Sequence, residues 1–146
     1  MPLHALFDTT VLISAFLRPQ GVAGILLDAA RQQLYPCSLC EDIVVEVVRA
    51  LAYPHIQERY RYRPDDSRAF CEALRASFPL ALPSPTVVSI SRDPGDDIIL
   101  ACAVAAAATH LVTRDKDLLV IGTYEGITIL SPEAFIALLR AAHLLP

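Results

Sequence analysis

The stretch Leu3-His4-Ala5-Leu6-Phe7-Asp8-Thr9-Thr10 is a short, mostly apolar run with an abrupt polar stop. A run of this length, apolar at successive rather than alternate positions and closed by polar turn residues, predicts a strand buried on both faces. Residues 11–17 follow, apolar except for Ser14, and predict a helix that Pro19-Gln20-Gly21 breaks. A buried strand running straight into a helix is half of a βαβ unit, and the pattern recurs. Residues 22–33 predict a second helix and residues 34–37 a short extended segment. In residues 40–52, Ile43, Val44, Val47, Val48 and Leu51 share one helical face. Pro64-Asp65-Asp66-Ser67 has the proline and acids that favour a helix start, and the helix continues to Phe78. Pro79, Pro83 and Pro85 mark a loop, and residues 86–90 read as a strand. Residues 91–97 form a charged turn and residues 98–108 an alanine-rich buried helix. His110-Leu111-Val112-Thr113 is a strand ending at Arg114-Asp115, and residues 127–130 are the last strand. Ser131-Pro132-Glu133 opens the terminal helix with a cap residue, a proline and an acid.

Strands alternating with helices, and apolar on both faces, predict an α/β fold of three layers, α/β/α, with a central parallel sheet. The chain has 146 residues, enough for a single domain over 1–146 that buries about two-thirds of its unfolded surface. An apolar share of 54 % excludes disorder and suits a sheet with no solvent face. The longest unbroken apolar run, residues 98–108, is eleven residues. A membrane span needs about 20. The N-terminus has no basic segment ahead of an apolar one, so a cytoplasmic protein without membrane attachment is expected. Cys37 and Cys40 form a C-x-x-C, but Cys71 and Cys102 stand alone and no second pair completes a zinc site. The cysteines read as small apolar fillers near strand ends.

The acids are distributed less evenly than the apolar residues. Sixteen acidic groups face twelve basic ones, a net charge of −4, and five of the acids lie between Asp93 and Asp117. Asp8 directly follows the first strand, and Glu46 lies in the first turns of the helix after the second. Asp93, Asp96 and Asp97 fill the turn before another helix, and Asp115 and Asp117 follow the strand ending at Thr113. In a parallel sheet these positions share one edge, where open α/β folds bind ligands. Clustered carboxylates resist joint ionisation, and a divalent cation removes that cost. Oxygen donors without clustered His or Cys suit Mg²⁺ or Mn²⁺. Each acid also has a structural reading. Asp8 can cap a helix, Glu46 can pair with Arg49, one of Asp96 and Asp97 can cap the helix that follows, and Asp117 can cap the short helix after it. The run Arg59-Tyr60-Arg61-Tyr62-Arg63 suits nucleic acid, a solvated face or a protein contact equally.

Five pieces, in order, carry a resemblance: Phe7-Asp8-Thr9-Thr10-Val11-Leu12-Ile13-Ser14-Ala15; Glu46-Val47-Val48-Arg49; Arg92-Asp93-Pro94-Gly95-Asp96-Asp97; Leu111-Val112-Thr113-Arg114-Asp115-Lys116-Asp117-Leu118-Leu119; and Gly126-Ile127-Thr128-Ile129-Leu130-Ser131-Pro132. Together the sequence resembles the PIN domain, and within it the bacterial toxin components of toxin-antitoxin systems, relatives of the VapC toxins. The resemblance implies a Mg²⁺- or Mn²⁺-dependent ribonuclease with about five parallel strands, a homodimer held inactive by a cognate antitoxin protein. The family's acids fall on Asp8, Glu46, Asp96 or Asp97, and Asp115, with Asp117 beside them as a further metal ligand. Thr113 matches the hydroxyl beside the site, and Arg114 and Lys116 would neutralise the RNA phosphate. Thr10 stands where the family usually has Asn, and its hydroxyl can still bond locally.

Other readings fit less well. A haloacid-dehalogenase-type phosphatase needs D-x-D, and Asp8-Thr9-Thr10 lacks the second carboxylate. A receiver domain needs a lysine after a late strand, and Lys116, the one lysine, lies beside Asp115. The alternative from another class is a PIN-like module that binds RNA or protein without cleaving it.

Overall fold

Strand β1 (Ala5–Phe7) has all three residues fully buried, so side chains on opposite sides of the pleat are equally removed from water. The structure, a computed structural model, describes residues 2–83 and 94–146. β1 is central. It pairs in parallel with β2 (Cys37–Cys40), Ala5 opposite Cys37, and with β4 (His110–Val112), Leu6 opposite Leu111. β2 pairs in parallel with β3 (Leu80–Ala81), and β4 with β6 (Ile127–Leu130). The short β5 (Thr123–Tyr124) runs antiparallel to β6, giving the order β3-β2-β1-β4-β6-β5. The expected sheet of about five parallel strands is therefore present, with an antiparallel sixth at its edge.

The helices follow the strands: α1 (Thr9–Leu17) and α2 (Val22–Arg31) after β1; α3 (Glu41–Leu51), α4 (Pro54–Tyr60) and α5 (Pro64–Ser77) after β2; α6 (Pro94–Ala105); α7 (Lys116–Ile121) after β4; and α8 (Pro132–Ala141) after β6. α1 packs on α2 and α3, α2 on α8, and α3 on α5. In the core, Phe135 of α8 meets Phe7 edge-to-face at 6.4 Å and Tyr35 at 5.4 Å. Among the described residues no single helix is long and apolar enough to cross a membrane.

Several boundaries differ from the sequence reading, each for a local reason. The extended segment expected at 34–37 begins only at Cys37. Gln33 adopts a left-handed φ of 61°, and the Tyr35 hydroxyl donates to the Leu26 carbonyl at 2.6 Å, so residues 33–36 form a turn anchored on α2. The proline loop contains β3, an edge strand, where prolines beside it remove no ladder hydrogen bond that the sheet needs. The strand expected at 86–90 lies outside the described residues, as does Asp93. The helix expected from 98 starts at Pro94, so Asp96 and Asp97 sit in its first turn rather than in the turn before it. Cys40 and Cys102, read as separate fillers, form a disulfide with Cα atoms 6.0 Å apart, because α6 packs against the β3 side of the sheet and faces the end of β2. Cys37 and Cys71 are free and buried, as the filler reading has it.

Candidate active site

The strand order steps from β1 to β2 and β3 on one side and from β4 to β6 on the other, so the crevice between the carboxyl ends of β1 and β4 is the topological switch point. Asp8 ends β1 there. Its N–H donates to the Val112 carbonyl at 3.2 Å, which fixes it against the neighbouring strand. Asp8 also caps α1, its Oδ1 accepting the Val11 N–H at 3.2 Å and the Thr10 hydroxyl at 2.6 Å. Oδ2 accepts the hydroxyl of Thr113, at the end of β4. The Thr113 hydroxyl oxygen in turn accepts the Asp115 N–H at 2.9 Å, and Thr10 Oγ1 accepts the Arg114 N–H at 3.0 Å. Two strand ends are thus tied through one carboxylate and two threonine hydroxyls. Thr10 does bond locally, donating to Asp8 and accepting from the Arg114 N–H, as the sequence led one to expect of its hydroxyl.

Asp8 is 1 % exposed, and burial pushes its carboxyl above the ordinary range. The three hydrogen bonds oppose that rise, and the nearby Asp115 charge adds to it. An acid in this position is expensive to keep ionised unless a cation comes near.

Further carboxylates converge on the same crevice. Asp96 comes from the first turn of α6. Asp115 caps α7, its Oδ1 accepting the Asp117 N–H at 2.9 Å. Carboxylate oxygens of Asp96, Asp115 and Asp117 all lie within 4.8 Å of one another. A cavity of about 670 Å³ is lined by Asp8, Glu46, Asp96 and Asp115, together with Thr10, Asp42 and Arg49. Glu46 and Arg49 pair at 3.0 Å on the exposed face of α3, so the structural reading of that pair and its place in the cleft both hold. Among the described residues, five carboxylates and one guanidinium line the cleft and make its lining anionic, and an oxygen-only donor set suits a hard divalent cation.

Of the remaining sequence candidates, Asp97 neither joins the carboxylate group nor lines the cavity. Arg114 does not line the cleft: its guanidinium is held by Glu133 with both contacts at 3.1 Å, and it borders a second cavity. Lys116 is exposed at the start of α7 and lines neither cavity. Asp42 was not singled out from sequence. Its signal was the acidic pair Glu41-Asp42 in the first turn of the helix that carries Glu46.

Residues 4–117 match the family model of the PIN domain. The fold is similar to the crystal structure of PAE2754 from Pyrobaculum aerophilum, with a TM-score of 0.62 and 19 % identity over 95 % of this chain and 90 % of that one. It is also similar to VapBC2 from Rickettsia felis bound to a DNA fragment from their promoter, with a TM-score of 0.62 and 10 % identity over 88 % of this chain and 98 % of that one. No curated protein sequence matches.

Proposed function

The chain belongs to the PIN-domain family, and on that premise we propose that it is a divalent-metal-dependent endoribonuclease, one domain over residues 1–146, acting as the toxin of a toxin-antitoxin pair. The observation that carries the reading is the convergence of carboxylates from four separate segments on one crevice: Asp8 after β1, Glu46 on α3, Asp96 on α6, and Asp115 with Asp117 after β4. No packing requirement gathers them there. Capping α1 and α7 needs one acid each.

In this reading Asp96, Asp115 and Asp117 would hold Mg²⁺ or Mn²⁺, with Asp8 as a further carboxylate in the same cleft. A bound divalent cation supplies a water of lowered pKa and offsets charge on the phosphodiester. Thr10 and Thr113 keep the Asp8 carboxylate oriented by donating to both of its oxygens. Glu46, exposed and paired with Arg49, would orient the attacking water, and Arg49, the one cation lining the cleft among the described residues, can meet the phosphate. The toxin assignment, the cognate antitoxin partner, the homodimer and the cytoplasmic location rest on the family resemblance and on likeness of fold to a toxin-antitoxin complex.

The test is a cleavage assay on RNA and single-stranded DNA with Mg²⁺, Mn²⁺ or EDTA, wild type beside Asp8→Asn. Metal-dependent RNA cleavage lost in the variant is the expected result. Equal behaviour in all lanes sinks the nuclease reading in favour of a binding module. Growth arrest on expression, relieved by the product of a neighbouring small reading frame, tests the toxin assignment.

A further inference from the structure

Beside the carboxylate cleft lies a second cavity of about 540 Å³, within the range of small-molecule sites. Its lining differs in kind. Ile13, Leu17 and Val22 supply apolar surface, Tyr60 an aromatic ring, and Arg18 and Arg114 positive charge, that of Arg114 offset by Glu133 in the same lining. The cavities are neighbours through consecutive residues, since Arg114 borders this one and Asp115 the cleft. Among the described residues Arg18 has no ion-pair partner, while Arg114 is held by Glu133.

The structure also divides the labour within Arg59-Tyr60-Arg61-Tyr62-Arg63. Tyr62 is structural: its hydroxyl donates to the Leu51 carbonyl at 2.7 Å and its ring meets Phe16 of α1 edge-on at 4.9 Å. Arg61 ends α4 in the left-handed region, φ 55°. Tyr60 is exposed, with the Arg59 guanidinium 5.4 Å from its ring centre. The anchoring of Tyr62 on α1 fixes the backbone that follows α4, while the Tyr60 ring stays exposed at the cavity.

An anionic cleft that wants a cation and a phosphate, next along the chain to a cavity with an aromatic wall and one unpaired arginine, fits a ligand that alternates phosphate with flat apolar rings. We propose that the second cavity is a nucleoside subsite for single-stranded RNA: Tyr60 stacks on the base next to the scissile phosphate and Arg18 meets the adjoining phosphate. The proposal rests on the nuclease reading above for its substrate. Stacking on aromatic side chains is tolerant of base identity, so the subsite adds affinity and register more than sequence preference.

The test is equilibrium binding of a fluorescein-labelled ten-nucleotide oligouridine in EDTA, where no metal-dependent cleavage occurs, to wild type, Tyr60→Ala, Tyr60→Phe and Arg18→Glu. The expected result is binding on the order of tenfold weaker for Tyr60→Ala and Arg18→Glu, with Tyr60→Phe near wild type because the ring is kept. Photo-crosslinking of a 4-thiouridine oligomer should map to Tyr60. Wild type that does not bind, or Tyr60→Ala within twofold of it, overturns the proposal. So does loss of a protein partner, with RNA binding intact, in the same variants. If wild type cleaves nothing with Mg²⁺ or Mn²⁺ yet Tyr60-dependent binding persists, the nuclease reading falls and the subsite stands.

Discussion

Reducing the Cys40–Cys102 bond should lower stability without changing the native architecture. The two cysteines lie 62 residues apart in sequence and each is fully buried. Closing a loop of that length removes unfolded-state entropy worth about 4 kcal/mol at room temperature. For a domain of about 150 residues each kcal/mol moves the thermal midpoint by roughly 2–4 °C, so reduction should lower it by roughly 10 °C. Cleavage measured well below either midpoint should be unchanged, because the bond restrains the unfolded chain more than the folded one. The assay pairs thermal unfolding, with and without a phosphine reductant, with alkylation after denaturation. Without reductant only Cys37 and Cys71 should be labelled, and with it all four cysteines. The double variant Cys40→Ala/Cys102→Ala should match the reduced wild type apart from lost packing, and reductant should not move it further. Equal wild-type midpoints with and without reductant, or four labels without it, would refute the reasoning.

Other perturbations have equally specific outcomes. A Cβ at Gly24 would sit 2.0 Å from the Pro19 carbonyl oxygen, so Gly24→Ala should destabilise by about 3 kcal/mol or prevent folding, despite alanine's better helix propensity; chemical denaturation reads it. Thr113→Val removes a buried hydroxyl that donates to Asp8 and accepts from Asp115. It should cost about 2–3 kcal/mol in the same experiment and lower metal-dependent cleavage more than tenfold, whereas Thr113→Ser should retain most of both. Burial holds the His110 imidazole below its usual 6.5, so as pH falls the unfolded chain takes up that proton first. Its stability contribution is therefore present above pH 6.5 and lost below it, and His110→Gln should lose less thermal stability than wild type between about pH 7.5 and about pH 5.5.

The parts of the fold legible in sequence were those that local chemistry determines. Ala5-Leu6-Phe7 could only be a strand covered on both faces, and Ser131-Pro132-Glu133 marked the start of α8, where the Ser131 hydroxyl does accept the Ala134 N–H at 3.1 Å. What was not legible depends on partners distant in sequence. β3 is two residues long and exists because Leu39 and Cys40 offer an open edge to Leu80 and Ala81. The pairing of Cys40 with Cys102 requires knowing where α6 lies over the sheet. β5 depends on the turn at Glu125 and Gly126, both at positive φ, which folds it back on β6. In the candidate site the acids announced themselves by position after strands, but whether Asp96 or Asp97 faces Asp115 is a matter of helix phase. That phase became readable only once α6 was known to begin at Pro94.

Asp8 shows why a structural reading and a functional one need not compete. It caps α1, and a cap uses one carboxylate oxygen. Ser or Asn would do the same without a charge. The excess over capping is what calls for explanation: near-complete burial and the negative charge of Asp115 close by both raise the cost of ionisation, and the hydroxyl of Thr113 on the second oxygen offsets only part of it. A fold that needed only a cap would gain by losing that charge. Asp8→Asn should therefore separate the two roles, keeping the cap to Val11 while removing the charge. If metal-free protein becomes more stable at neutral pH as cleavage disappears, the carboxylate is kept at the expense of the fold for its chemistry. If stability falls sharply and cleavage survives, Asp8 is a cap and the nuclease assignment of this residue is wrong.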